Sequence, residues 1–250
     1  MEIITSRKNQ HIRHFRRLAS ERSYRKKCGE FVCDGQKLLT EALQNGAQLG
    51  EILVRAGTEV DAPAGVPVFA LSDEVYEFVS PLENSPGPLF SVKMRLWPET
   101  EAPQRVIVLE NVQDPGNVGT VLRTAAALGI DRAILVGECA DVYNPKTVRG
   151  AMGALFRQNL LETDLDGLCE RLKIWGLPLY GAALATDAET VGGTDLSRAA
   201  VAVGNEGRGL TPELLDRCDK KIIIPMTEGS ESLNAAVAAS ILMWEMARPR

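Results

Sequence analysis

The sequence predicts an α/β protein with two domains, a small α/β domain followed by a larger domain built on a mostly parallel sheet. Short apolar runs alternate with longer helical patterns along most of the chain, as in βαβ units. A polar segment bracketed by prolines interrupts this alternation at residues 97–103, a composition typical of a semi-rigid linker. We therefore expect one domain over residues 1–96, a linker over 97–104 and a second domain over 105–250.

The first domain alternates strands and helices after a basic amino-terminal segment. Runs rich in Val, Phe and Leu predict strands at Glu30–Asp34, 51–54, 66–70 and 89–94. Apolar residues at helical spacing predict a helix that runs through Leu38 and Leu43 and ends at Asn45-Gly46, and a short helix over 73–79. This order implies a small α/β sandwich.

The second domain contains apolar strands separated by helical stretches, which favours a mostly parallel sheet covered on both faces. The strands are expected near residues 105–112, 132–137, 158–162, 178–184, 199–204 and 221–225. Three of these strands end in glycine, proline or small polar residues. Such residues bring backbone amides and carbonyls close to a ligand in the crevice at the strand ends, so the three ends together predict a pocket.

The first strand end reads N-V-Q-D-P-G-N-V-G-T-V-L-R-T-A over residues 111–125. The helix that it opens carries one apolar stripe, formed by Val118, Val121, Leu122, Ala125 and Leu128. Arg123 lies off that stripe, on the side from which the chain enters the helix, where a guanidinium can meet an anion. The second end is V-A-V-G-N-E-G-R-G-L, and the third is I-I-I-P-M followed by E-S-L-N and an Ala-rich helix. That last helix carries an apolar stripe with Val237, Ile241 and Trp244, for which core packing is the default interpretation.

Histidine and cysteine usage disfavours several classes of chemistry. The chain has two histidines, His11 and His14, so the second domain has no imidazole for a Ser-His or Cys-His pair. Its five cysteines are scattered and odd in number, which predicts reduced thiols. A zinc site from these histidines with Cys28 and Cys33 has unsuitable spacing, and we expect no metal.

Charge is unevenly distributed along the chain. The whole sequence carries a net charge of -5, yet residues 1–27 hold nine basic residues and two acidic ones. This asymmetry fits either a phosphate-binding arm or a solvated basic helix. No apolar run reaches membrane-spanning length and the amino terminus lacks the apolar core of a secretion signal, so we expect a cytoplasmic protein without a membrane anchor.

The three strand-end motifs, in this order, resemble the signature motifs of the SpoU/TrmH family of RNA ribose 2'-O-methyltransferases in the SPOUT superfamily. The resemblance covers residues 105–250 and implies a C-terminal trefoil knot, S-adenosylmethionine as cofactor, and a homodimer with active sites at the subunit interface. The alternative to core packing for part of the apolar face of the last helix is therefore this interface, across which Arg123 would act on the partner's cofactor. The S-R-K-N-Q and F-V-x-D-G segments of the first domain resemble the substrate-binding domain of such enzymes, which has a fold like certain RNA-binding ribosomal proteins.

The resemblance also implies roles for individual residues. Arg123 is matched to the residue that activates the 2'-hydroxyl. Because a guanidinium stays charged in proteins, we expect it to stabilise the developing alkoxide while it holds the adjacent phosphate. Asn117 would position Arg123 or the ribose, and Glu206 would orient an arginine or accept a proton. Asn234 completes the catalytic set, either as a substrate anchor or as a helix cap.

Two further sets of residues are expected to bind ligands. The cofactor would contact backbone and side chains of Ala183, Leu184, Gly204, Asn205, Ile224, Met226, Ser232 and Leu233. RNA would contact the basic side chains of Arg7, Lys8, Arg13, Arg16, Arg17, Lys146 and Arg149. The predicted function is 2'-O-methylation of large-subunit ribosomal RNA. The alternatives are a transfer-RNA methyltransferase and a non-catalytic RNA-binding protein of ribosome assembly on the same fold.

Overall fold

A computed structural model describes residues 2–97, 101–227, 229 and 232–248. Part of the predicted linker, residues 98–100, and Glu231 of the third motif lie outside the described residues. The chain divides into two compact units: an N-terminal unit of residues 1–96 with 141–156, and a C-terminal unit of residues 97–140 with 157–250.

The elements of the first half of the chain are Ile3–Ile4 (β1), Gln10–Ser20 (α1), Arg22–Cys28 (α2), Glu30–Asp34 (β2), Gln36–Gln44 (α3), Leu49–Arg55 (β3), Val68–Leu71 (β4), Asp73–Val79 (α4), Leu89–Lys93 (β5), Arg105–Glu110 (β6) and Pro115–Leu128 (α5). Those of the second half are Arg132–Val136 (β7), Pro145–Ala151 (α6), Leu160–Thr163 (β8), Leu165–Trp175 (α7), Leu179–Ala182 (β9), Glu189–Thr190 (β10), Ala199–Val203 (β11), Pro212–Leu215 (α8), Lys220–Ile223 (β12) and Ala235–Ala247 (α9). Short 3-10 helices follow α6 and β10, at Ala154–Phe156 and Val191–Gly193.

The N-terminal unit is built on a five-stranded sheet in the order β1-β4-β3-β5-β2. Strands β1, β4 and β3 are parallel, and β5 runs antiparallel to its neighbours β3 and β2. Helix α1 begins at Asn9, whose side chain accepts a hydrogen bond from the backbone N–H of His11. Its residues Ile12, Phe15 and Leu18 are spaced to form one face and are fully buried in the core of this unit.

Residues 141–156 leave the C-terminal unit after β7 and pack within the N-terminal unit. Asp141 forms a 2.6 Å ion pair with the buried Arg25 of α2, and the ring of Tyr143 lies 4.8 Å from that of Phe31 on β2. The sequence-based division at residues 97–104 does not separate this segment. Its apolar side chains suit either core, so hydrophobic pattern alone cannot assign it to a unit.

The C-terminal unit holds a seven-stranded sheet in the order β10-β12-β9-β11-β6-β7-β8, and all its strand pairs are parallel. This confirms the predicted parallel α/β fold, to which the structure adds the two-residue strand β10. Because the strands are parallel, the carboxyl ends of β12, β9, β11 and β6 lie side by side at one edge. The trefoil knot stays a prediction.

The helices α5 and α9 test the predicted apolar stripes. In α5 the residues Val118, Val121, Leu122 and Ala125 are buried, as predicted, and Leu128 at the end of the stripe is half-buried. In α9 the default prediction of core packing is wrong for Val237 and Trp244, because these side chains are exposed. Leu242, Met243 and Met246 are buried instead, together with several alanines. This helix is apolar nearly all round, so periodicity could not identify its buried face. The alternative to core packing, that part of the apolar face lies at a subunit interface, stays a prediction.

Helix α9 spans 13 residues, and no helix among the described residues is long and apolar enough to cross a membrane.

Candidate active site

A cavity of about 530 Å³ opens at the carboxyl ends of β9, β11 and β12. Small and apolar residues form most of its wall, among them Ala182, Val203, Ile222 and Ala238. The residues predicted to bind a cofactor all line it: Ala183, Leu184, Gly204, Asn205, Ile224, Met226, Ser232 and Leu233. The volume lies within the range of small-molecule sites, so the structure brings these residues together around a space that suits a cofactor.

The loop after β11 is held in a closed turn. The backbone N–H of Asn205 donates to the carbonyl of Gly209, and the N–H of Gly209 donates back to Asn205, each at 2.9 Å. The side-chain oxygen of Asn205 accepts from the N–H groups of Gly207 and Arg208. A Cβ on Gly204 would lie 2.1 Å from the carbonyl carbon of Gly209. Only glycine fits at this position, because the two backbone segments approach so closely.

One chain of hydrogen bonds joins the three motifs. The Asn117 amide nitrogen donates to Glu206 Oε1 at 2.9 Å, and the Asn234 amide nitrogen donates to Asn117 Oδ1 at 3.1 Å. Asn234 Oδ1 in turn accepts from the backbone N–H groups of Ala236 and Val237 at the start of α9. Each amide is both donor and acceptor in this chain, so its orientation is fixed by its neighbours.

Glu206 is held as a carboxylate that accepts hydrogen bonds. It accepts from the backbone N–H groups of Gln113 and Asp114 as well as from Asn117. Partial burial raises the pKa of this carboxyl, but the hydrogen bonds from Asn117 and the backbone outweigh it and the pKa is lowered. At neutral pH Glu206 is therefore ionised. Among the described residues the side chain that Glu206 orients is Asn117 and not an arginine, and the two roles expected from the sequence, orienting an arginine and accepting a proton, stay predictions.

Asn234 caps helix α9. The helix cap was one of the two roles expected for this residue. Its remaining amide hydrogen bond goes to Asn117, so the cap also fixes a side chain of the first motif. Contact between Asn234 and a substrate stays a prediction.

Arg123 lies on the exposed side of α5. Within the described part of the chain, its guanidinium makes no hydrogen bond or ion pair. It is also not among the residues that line the cavity of its own chain. Asn117 and Asn234 also lie outside the lining, but hydrogen bonds link them to Glu206, which is part of it. Arg123 has no such link among the described residues.

Comparison with known proteins places this site in a family. The model of the SpoU rRNA Methylase family matches residues 104–244, and that of the MRM3-like substrate binding domain matches residues 9–89. The chain belongs to the SpoU rRNA Methylase family. As a member it is an RNA 2'-O-methyltransferase, and its methyl donor is S-adenosylmethionine. The resemblance stated from the three motifs is therefore confirmed.

Individual members of the SpoU family match over most of the chain. The 23S rRNA (guanosine(2553)-2'-O)-methyltransferase RlmP of Bacillus subtilis is 34% identical over 98% of this chain and 99% of its own length. The AdoMet-bound rRNA methyltransferase of Sinorhizobium meliloti superposes with a TM-score of 0.87, at 25% identity over 98% of this chain and 97% of that one. The TrmH/SpoU tRNA modifying enzyme of A. aeolicus, also 25% identical, covers 58% of this chain and 77% of its own, with a TM-score of 0.51.

Sequence reasoning missed two polar residues near the SpoU motifs. Glu110, at the end of β6, is buried and accepts hydrogen bonds from the backbone N–H of Thr211 at 2.8 Å and its hydroxyl at 2.6 Å. These bonds fix the segment that follows the second motif to the end of β6. An acidic residue at the end of an apolar strand is the signal that could have found Glu110. Arg208, which lines the cavity, is the second.

The basic residues predicted to bind RNA lie in the N-terminal unit and differ in how they are engaged. Arg7 pairs with Glu74 at 2.7 Å, Arg17 pairs with Glu21 at 2.9 Å, and Arg16 donates to the carbonyl of Phe78. A second group, exposed at the surface, consists of Lys8, Arg13, Lys146 and Arg149. Among the described residues, the side chains of Lys8, Arg13 and Arg149 make no hydrogen bond or ion pair.

The histidine and cysteine side chains considered for a zinc site are used differently. His11 lies 2.9 Å from Glu51 and His14 lies 3.0 Å from the Tyr24 hydroxyl. Cys33 is buried in β2. The described residues contain no group of three or more His, Cys, Asp or Glu side chains placed to hold a metal ion.

Proposed function

We propose that this protein methylates a ribose 2'-hydroxyl in large-subunit ribosomal RNA. The observation that carries the proposal is the cavity at the strand ends, whose lining includes Glu206. Glu206 accepts a hydrogen bond from Asn117, which in turn accepts one from Asn234. Ribosomal RNA is favoured over transfer RNA by the share of the chain that each kind of enzyme matches. Enzymes named for ribosomal RNA match nearly the whole chain, whereas the transfer-RNA enzyme of A. aeolicus covers 58% of it. The reaction would take place in the cytoplasm, where ribosomal RNA is assembled into subunits in bacteria.

The cavity residues would hold the donor mainly through backbone groups. S-adenosylmethionine supplies an electrophilic methyl group on a sulfonium when bound. Internal hydrogen bonds and the close approach at Gly204 fix the backbone of the loop that lines the cavity, and Leu184 and Leu233 offer apolar surface at the rim. This rigid wall would keep the methyl group in line with the attacking oxygen, which is the alignment that displacement requires.

Arg123 would act at the cavity of a second copy of the chain. It is exposed on α5, apart from the cavity lining of its own chain. Helix α9, which packs on α5, exposes apolar side chains at Val237 (48% exposed) and Trp244 (56% exposed). Exposed apolar surface of this kind fits a subunit interface, and a two-fold interface would supply each cavity with one arginine. There the guanidinium would stabilise the developing alkoxide of the ribose.

The N-terminal unit would capture the RNA. Lys8, Arg13 and Arg149 present exposed cationic side chains, with Lys146 on the same helix as Arg149. Contacts of this kind bind phosphates without reading sequence, so the unit would supply affinity and position. The hydrogen-bonded set of Asn117, Glu206 and Asn234 is intact, which weighs against a non-catalytic assembly protein.

Mapping of ribose methylation tests the proposal. Total RNA from cells with and without the gene would be compared by 2'-O-methyl mapping, with Arg123→Ala expressed as the catalytically impaired control. We expect one site of the large-subunit RNA to lose methylation in the deletion strain and to stay unmethylated with Arg123→Ala. Loss of methylation in a transfer RNA instead, or no change in any RNA, would overturn the proposal.

A further inference from the structure

Arg208 is the one basic residue among the described residues that line the cavity, and its backbone is fixed. Its N–H donates to Asn205 Oδ1 at 3.1 Å within the closed turn of Asn205–Gly209. The turn therefore holds the base of the side chain at the cavity while the side chain itself is exposed.

The guanidinium of Arg208 has no partner among the described residues. Glu206, two positions earlier, is the other charged residue of the lining, but its carboxylate accepts from Gln113, Asp114 and Asn117 instead. An arginine beside a cavity, with a fixed backbone and no acceptor in the described part of the chain, offers a planar fork of N–H donors that matches an oxyanion.

We propose that Arg208 binds an oxyanion of a substrate at the cavity rim, an assignment that rests on the proposed function. Two groups carry suitable oxygens: the carboxylate of the methyl donor and a phosphate beside the target ribose. Both would accept two parallel N–H···O bonds from the guanidinium. Arg208 is then a substrate-binding residue in addition to those expected from the motifs.

Binding measurements on the full-length protein distinguish the two sources. Calorimetry would give the affinity of wild type and Arg208→Gln for S-adenosylmethionine and for 5'-methylthioadenosine, which lacks the carboxylate. Filter binding of a large-subunit RNA transcript over a salt series would give the RNA affinity. If Arg208 binds the donor's carboxylate, Arg208→Gln lowers the affinity for S-adenosylmethionine by about tenfold. Its affinity for methylthioadenosine is unchanged. If a phosphate is bound, RNA affinity falls and the slope of log affinity against log salt decreases by about 0.7 to 0.9.

Two variants control for charge and for folding. Arg217→Gln removes the same charge from the C-terminal unit at a residue that binds Asp166 and Cys169 and does not line the cavity, and it should behave as wild type. Arg208→Lys keeps the charge but loses the fork, so its affinity should be intermediate. Equal affinities for Arg208→Gln and Arg217→Gln in both assays would overturn the inference alone. A wild-type protein that neither binds S-adenosylmethionine nor methylates RNA would overturn the proposed function and the inference with it.

Discussion

Polar side chains are used differently in the two units. In the C-terminal unit, side chains from the three motifs bind one another, as Glu206, Asn117 and Asn234 do. In the N-terminal unit many charged side chains bind neighbours or the core of the unit itself, as Arg17 does with Glu21 and Arg25 with Asp141. The first arrangement fixes the orientation of Glu206 at the cavity and of the two amides linked to it. The second leaves a smaller number of cations available to a ligand.

This difference shows why motif and charge have unequal value for locating function. A motif at a strand end specifies both the residue type and the backbone position, so its members meet when the parallel sheet forms. A count of basic residues specifies neither partners nor exposure. Arg25 contributes to the positive charge of residues 1–27 and is buried, with its side chain 3% exposed.

The largest effect is expected from closing the space at Gly204. Gly204→Ala places a Cβ 2.1 Å from Gly209 backbone, so the turn must open and S-adenosylmethionine binding should be lost. Gly192→Ala is the matched control, because a Cβ there would meet no heavy atom within 4 Å and Gly192 does not line the cavity. Calorimetry that detects equal donor binding by the two variants would show that the turn is not part of the donor site.

A second prediction concerns the buried ion pair of the N-terminal unit. Asp141→Ala leaves the buried Arg25 guanidinium without its carboxylate and should lower the free energy of unfolding by about 3 to 5 kcal/mol. Removing the exposed Glu21, which pairs with Arg17, should have little effect, because solvent screens such pairs. Urea denaturation of both variants would check this. Donor affinity should be unchanged in Asp141→Ala at low denaturant, and a large loss would contradict the division of roles between the units.

The smallest effect is expected on RNA affinity, where an exposed arginine should contribute more than a paired one. Arg13→Gln should weaken RNA binding and lower the slope of log affinity against log salt by about 0.7 to 0.9. Arg17→Gln should have less effect, because its guanidinium already binds Glu21 and stacks 3.8 Å from the centre of the Tyr24 ring. Filter binding over a salt series measures both. Equal slopes for the two variants would mean that the Glu21 pair opens when RNA binds.

The sequence was informative where local chemistry determines structure. The strand ends and the stripe of α5 follow from residue type and spacing. The residues expected to bind the cofactor, which line the cavity, came from the resemblance of the three motifs to the SpoU/TrmH family. The buried face of α9 does not, because this helix is apolar on nearly every side. The packing of residues 141–156 within the N-terminal unit also does not, because it depends on the Arg25–Asp141 pair across 116 positions of sequence. The hydrogen bonds that link Glu206, Asn117 and Asn234 could not be predicted from the sequence, since amide side chains have many alternative partners.

In the proposed dimer, one copy of the chain supplies the donor cavity and the other supplies Arg123. Mixing two inactive variants tests this arrangement directly. In a mixed dimer of Arg123→Ala with Gly204→Ala, one cavity would be intact and would receive an intact Arg123 from the other subunit. Random exchange of subunits should therefore restore single-turnover RNA methylation to about a quarter of the wild-type rate. No recovery, in a mixture shown to contain mixed dimers, would contradict the account and place Arg123 at the cavity of its own chain.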